Sequence, residues 1–214
     1  MICIHNLSLE IGKTNILTNV DIQFKKGKIH GLIGRNGSGK TMLMKCICGF
    51  VRPTAGTVHV AGKQIGKDCD FPESVGIIIE TPGFIPYYSG YRNLKLLADL
   101  NKKIGKEAIR GTMKKVGLDP DLKRHVRKYS LGMRQRLGLA QAIMENPNLL
   151  ILDEPMNGLD KEGVADMRKY LLDLKAQGKT ILIASHSAED ISVLCDTVCE
   201  MDKGVLTKQR GFPV

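Results

Sequence analysis

The sequence predicts an α/β fold built on a mainly parallel sheet, and three observations carry that prediction. A short apolar strand at Ile29–Ile33 runs directly into a glycine-rich loop and then a helical stretch from about Lys40 to Gly49. Two more short apolar runs, Leu149–Leu152 and Thr180–Ala184, flank a helix expected over Lys161–Gln177. Between the two halves, from Tyr91 to Asn146, apolar residues keep mostly three- and four-residue spacings, which marks a helical insertion.

The other elements follow in order. Ile2, Ile4, Leu7 and Leu9 roughly alternate, and Val20, Ile22 and Phe24 form a second strand-like set before the turn at Lys25–Lys28. Pro53, Gly56 and Gly62 surround Thr57–Val60, the pattern of a short hairpin. Val75–Glu80 is a further candidate strand, closed by Thr81-Pro82-Gly83. In the helical stretch Leu94, Leu97, Ala98, Ile104, Ile109, Met113 and Val116 keep their spacing until Gly117–Pro120 breaks it. No internal repeat or low-complexity linker is visible.

A chain of 214 residues can bury one substantial core. No window approaches the roughly 18 to 20 consecutive apolar residues that cross a bilayer. Residues 1–10 show no secretory pattern, so a cytosolic location is expected. Six cysteines form no paired spacing and no zinc pattern, and small buried thiols are expected. The formal charge of +10 suits nucleic acid, an anionic membrane surface or a solvated exterior. Lys and Arg are spread along the chain, so charge alone does not choose.

Gly34-Arg35-Asn36-Gly37-Ser38-Gly39-Lys40-Thr41 matches the phosphate-loop pattern in full, with Met42 next in the first helical turn. Its glycines let backbone N–H groups turn inward around phosphate oxygens, and the helix presents its positive end. Lys40 supplies a point charge for the β and γ phosphates, and the Thr41 hydroxyl can ligate Mg²⁺. The chain is therefore expected to bind a nucleotide. Leu149–Leu152 leads into Asp153 and Glu154, two carboxylates at the carboxyl end of a buried strand. Asp153 is placed to hold Mg²⁺ and Glu154 to polarise an attacking water. Together with the loop, they indicate hydrolysis.

Tyr129-Ser130-Leu131-Gly132-Met133 opens an apolar-periodic helix just before the acidic strand. Ser130 and Gly132 can offer a hydroxyl and an N–H to an anion, or Ser130 can simply cap the helix. The ordered set of phosphate loop, serine–glycine segment, acidic strand, Asn157-Gly158-Leu159-Asp160 and Ser185-His186 resembles the ABC ATPase family, over residues 2 to 205. The resemblance implies a P-loop core at 1–83 and 147–214, an N-terminal antiparallel β subdomain, and a helical subdomain at about 84–146. It implies head-to-tail pairing with a second ABC ATPase domain, so that Ser130 and Gly132 contact ATP held by the partner. Asp160 then lies at the dimer contact, and His186 resembles the switch histidine that meets the γ-phosphate.

Three departures from the family pattern stand out. Leu131 replaces a glycine of the signature and tightens backbone approach there. Glu80 stands where the family has a glutamine; a carboxylate can still ligate Mg²⁺ but adds charge beside ATP. Ile11 occupies the place of the adenine-stacking aromatic. Glu80 and the Ser-Leu-Gly-Met form resemble the bacitracin and lantibiotic self-protection exporters. Their ATPases dock on a membrane-spanning permease subunit, which implies a peripheral position on the inner face of the cell membrane. The alternative is a non-transport ABC ATPase acting on nucleic acid or ribosomes. One motif set and a short helical insertion argue against it, and no nucleic-acid partner is expected.

Overall fold

The chain opens with a long antiparallel ribbon, β1 (Ile2–Ile11) and β2 (Thr14–Phe24). Burial along β1 falls on Ile2 and Ile4, then shifts phase to Leu7 and Leu9. Asn6 lies at the shift with a left-handed φ of 47°, inside a break in the strand register. An extra residue at a bulge resets which side chains face inward, and this explains the imperfect alternation.

β3 (Ile29–Ile33) leads through the phosphate loop into α1 (Lys40–Ile47). A hairpin of β4 (Ala55–Val60) and β5 (Lys63–Gln64) completes a four-stranded antiparallel sheet in the order β2-β1-β4-β5. After β6 (Val75–Ile78) comes the insertion, with α2 (Gly90–Asn101), α3 (Lys106–Lys115) and α4 (Leu131–Ile143). The chain returns through β7 (Leu149–Asp153), α5 (Lys161–Ala176), β8 (Thr180–Ala184), α6 (Ala188–Leu194), β9 (Thr197–Asp202) and β10 (Val205–Gly211). This computed structural model describes residues 1–211.

The second sheet runs β10-β9-β3-β8-β7-β6 and is parallel throughout except for the β9–β10 pair. One face packs on α1 and the antiparallel sheet, through Leu43, Met44, Ile47, Leu149 and Ile151. The other packs on the helices, through Leu137, Ala140, Leu150, Leu152 and Leu171. Both faces of the central strands are thus dry, which is why Leu149–Leu152 reads as an unbroken apolar run. Each of the leucine, isoleucine and methionine side chains contributes about 1.5–3 kcal/mol of burial. The fold is the expected α/β architecture, with three adjustments. β6 stops at Ile78, two residues short of the expected Glu80. α6, β9 and β10 carried no sequence expectation, because β9 interleaves Val198, Cys199 and Met201 with Thr197, Glu200 and Asp202. The insertion is seated closely on the core: at Gly76 of β6 a Cβ would lie 1.9 Å from the Ala142 carbonyl oxygen of α4.

Candidate nucleotide site

Strand register brings the motifs together. Leu32 of β3 pairs with Ala184 of β8, and Ala184 pairs with Asp153 of β7. The phosphate loop, Ser185-His186 and Asp153-Glu154 therefore emerge side by side at one carboxyl edge, where open α/β sheets place ligands. They line a cleft of about 500 Å³, whose walls run from Asn36 through Met42 and include Glu80, Asp153, Glu154 and His186.

The loop has a cradle's form. Gly34 takes a φ of 145°, and a Cβ there would fall 2.2 Å from the Met201 carbonyl oxygen, so no side chain fits. The Gly204 N–H donates to the Ser38 carbonyl at 2.9 Å, tying the loop to the β9–β10 turn. Lys40 is buried, and its Nζ donates to the carbonyls of Gly34 (2.6 Å) and Arg35 (3.0 Å). Ser38 Oγ is buried with no hydrogen-bond partner, and α1 begins at Gly39 with no side chain capping its amides. An orphaned hydroxyl, free helix amides and a cation fit phosphate oxygens. Thr41 Oγ1 donates to Asp153 Oδ2 at 2.7 Å. This hydroxyl and carboxylate are the hard oxygen donors Mg²⁺ takes alongside phosphate, so these residues fit that ion.

Glu154 follows β7 in a left-handed conformation, φ 49°, held by its N–H to the Ala184 carbonyl (2.9 Å) and by Gln135 Nε2 donating to its own carbonyl (3.2 Å). Its Oε2 accepts from the His186 N–H at 3.4 Å. His186 Nε2 stands 3.2 Å from Oε1, an ion-pair distance without hydrogen-bond alignment, so Oε1 has no donor. Burial raises the Glu154 pKa above the usual carboxylate value and the Asp153 charge adds to that, while His186 and Lys40 oppose it. Glu154 lines the cleft with raised basicity, and its Oε1 is buried beside His186 with no donor, the makings of a general base.

The remaining expected residues are placed differently. Glu80 lines the cleft, but its carboxylate pairs with Lys45 Nζ at 2.7 Å rather than joining Thr41 and Asp153. Ile11 sits 52% exposed at the end of β1, and Ile16 of β2 lines the cleft instead. Ser130 caps α4, its Oγ accepting from the Met133 N–H at 3.2 Å. Gly132 lies against the Gly158 carbonyl, and the Leu131 side chain packs against Gly158 and lines the cleft. Asp160 caps α5 through the Gly163 N–H (3.0 Å) and lies 3.8 Å from Arg136. Ser130, Gly132 and Asp160 are not on the walls of this cleft, and neither are Gly34 and Arg35. Lys45, Arg134 and Gln135 carried no sequence expectation, and Asn157 stood only as the first residue of the Asn157–Asp160 motif. Lys45 had a signal: it lies four residues after Thr41, on the same face of α1. All six cysteines are free; burial pushes the Cys46 thiol up to about 11 and those of Cys48, Cys195 and Cys199 to about 12.

A phosphate cradle after a central strand, with a hydroxyl–carboxylate pair and a second carboxylate beside it, defines a P-loop nucleotide hydrolase. Residues 17–157 match the ABC transporter family. The chain is 46% identical to the uncharacterized ABC transporter ATP-binding protein YybJ of Bacillus subtilis, over 96% of this chain and 94% of that one. It is 42% identical to the bacitracin transport ATP-binding protein BcrA of Enterococcus faecalis, over 95% of this chain and 67% of BcrA. It is 37% identical to the lantibiotic transport ATP-binding protein SrtF of Streptococcus pyogenes, over 99% and 91%. Its fold superimposes with a TM-score of 0.90, at 19% identity and over all of both chains, on the ATP-binding cassette MJ0796 in a dimeric post-hydrolysis state with ADP and Pi. The chain belongs to the ABC transporter family as an ATP-binding subunit, and it is an ATPase. No helix among the described residues is long and apolar enough to cross a membrane.

Proposed function

We propose that this ATPase drives export of an antimicrobial peptide of the bacitracin or lantibiotic type through a separate membrane-spanning permease, on whose cytoplasmic side it docks. The relatives named for bacitracin and lantibiotic transport support the peptide class. The observation that carries the catalytic part is Glu154, basic and half-buried, set between the phosphate loop and His186. In this reading Gly34–Met42 hold the phosphates, and Thr41 and Asp153 would hold Mg²⁺, which would supply positive charge against the phosphates. Glu154 takes the proton of the attacking water, and His186 orients Glu154 and meets the γ-phosphate.

A second ABC ATPase domain completes the site. Ser130, Gly132 and Asp160 lie off the walls of their own cleft, which leaves them available to a facing copy. The present caps of α4 and α5 keep these residues at exposed helix starts. Relatives named for bacitracin and lantibiotic transport favour transport over a nucleic-acid role.

Peptide resistance tests the reading. Cells carrying this chain with its permease should survive bacitracin or a lantibiotic, and the Glu154→Gln form should not protect them. Equal survival with both forms would remove the transport assignment.

A further inference from the structure

The charge of the chain is not evenly spread once the fold divides it. Residues 84–146, between β6 and β7, hold 14 basic and 5 acidic side chains, while the rest of the chain holds 18 and 17. The insertion therefore carries +9 of the formal +10. This corrects the expectation that the charge has no location.

Five of the fourteen cations are occupied within the subdomain or its edge. Lys95, Lys103, Arg110 and Arg136 form ion pairs, and Arg134 donates to the Tyr129 carbonyl. The other nine are exposed and, among the described residues, make no ion pair or side-chain hydrogen bond. Most of these lie along one connected track. Lys106 and Lys114 stand one turn either side of Arg110 on α3 and, behind Arg110 itself, hold the Asp121 carboxyl below its usual range. Two residues on begins Lys123-Arg124-His125-Val126-Arg127-Lys128, of which only Val126 is buried. That hexapeptide is laced to the segment before α2: Val126 N–H donates to the Tyr88 carbonyl (2.9 Å) and Arg127 N–H to that of Pro86 (3.1 Å). There Arg127 lies 5.0 Å from the Tyr87 ring centroid and Arg92 3.8 Å from that of Tyr88. Apolar side chains are exposed in the same subdomain: Tyr87 by 62%, Leu100 by 78%, and Ile85 and Leu96 by less.

We propose that this basic track docks on the anionic lipid surface of the membrane that holds the permease. Polybasic segments are drawn to a negatively charged leaflet, and tyrosine and aliphatic side chains settle among headgroups. Nucleic acid is the weaker match, because base stacking needs free aromatic faces and guanidinium groups already lie over Tyr87 and Tyr88. The lipid contact places the chain beside its permease on the same membrane. It rests on the membrane transport reading for its setting.

The test is sedimentation of the full chain with vesicles of phosphatidylglycerol and phosphatidylcholine, against vesicles of phosphatidylcholine alone. Binding should require phosphatidylglycerol and fall by about tenfold or more between 50 mM and 300 mM salt, as charge screening demands. The triple variant Lys123→Ser, Arg124→Ser, Lys128→Ser should lose about tenfold in vesicle affinity with ATP binding unchanged. The triple Lys13→Ser, Lys26→Ser, Lys67→Ser, on the exposed surface of the core, should bind as wild type. Equal binding to both vesicle types, equal loss from the two triples, salt-independent binding, or tighter binding to an RNA duplex than to vesicles would each overturn the proposal. If the 123–128 variant does not fold, the lipid and salt dependence of the wild type still decides. Wild-type peptide resistance in a chain that ignores phosphatidylglycerol would sink the lipid contact and leave the transport reading standing.

Discussion

The neighbouring strands β6 and β7 end in the same way and to different purposes. Ile78 is level with Leu152 in the parallel register, so Glu80 and Glu154 lie two residues beyond matched positions. Both take left-handed backbone, φ 59° at Glu80 and 49° at Glu154. Such a conformation in a residue with a side chain costs about 1–3 kcal/mol and persists only where the surroundings hold it. Around Glu154 the surroundings are Ala184, Gln135 and His186, and burial raises its proton affinity. Around Glu80 they are Lys45 and solvent, with the carboxylate largely exposed. One backbone device thus presents a carboxylate twice: burial raises the proton affinity of one, and an ion pair with Lys45 holds the other.

The largest effect should come from the β7 side. Glu154→Gln should retain ATP binding while steady hydrolysis falls by about 10²-fold or more, the usual range for losing a general base. A rate within threefold of wild type would erase the distinction between the two strand ends. Wild-type turnover should also rise with pH through a midpoint above the ordinary carboxylate value, and the variant should lack that limb. Stability has the opposite slope. Between the ordinary and the raised value the folded chain binds more protons than the unfolded one, so stability declines as pH rises across that window. Urea melts of both forms at several pH values check this sign.

A smaller change is expected on the β6 side. Glu80→Ala should leave ATP binding intact and lower permease-stimulated hydrolysis by about tenfold, the worth of one charge-assisted contact. Glu80→Gln should fall between that variant and wild type. Unaltered stimulation and peptide resistance in Glu80→Ala would mean the carboxylate is an exposed strand end without a role. Smallest of all, Lys45→Met should change stability by less than about 1 kcal/mol, since the Glu80 end of the pair is open to solvent. Its effect should instead appear as non-additivity with Glu80→Gln in stimulated hydrolysis. Additive losses would show that the two side chains do not act together.

The nucleotide loop and the acidic strand were legible because each is a local string whose chemistry follows from residue type and order. Their meeting was legible in outline too, since apolar runs such as Leu149–Leu152 can only be inner strands. The Lys45–Glu80 pair was not, because it joins residues 35 apart across a helix and a strand end. Ile16 in place of Ile11 depends on how the β1–β2 ribbon lies over the loop, which no spacing rule encodes. The location of the positive charge lay in the residue counts all along, but it takes meaning only when the boundaries at β6 and β7 are known. β9 and β10 escaped because Glu200 and Asp202 break up the apolar residues of β9 and β10 offers only Val205 and Leu206 before polar residues.

That last hairpin sets the order in which the chain becomes competent during synthesis. β3 has β9 as its outer neighbour, and the phosphate loop leans on Met201 and is tied by Gly204 to the Ser38 carbonyl. Every motif from Gly34 to His186 has left the ribosome before residues 197–204 do. A nascent chain therefore holds every one of these motifs while its phosphate loop still lacks the brace that Met201 and Gly204 supply.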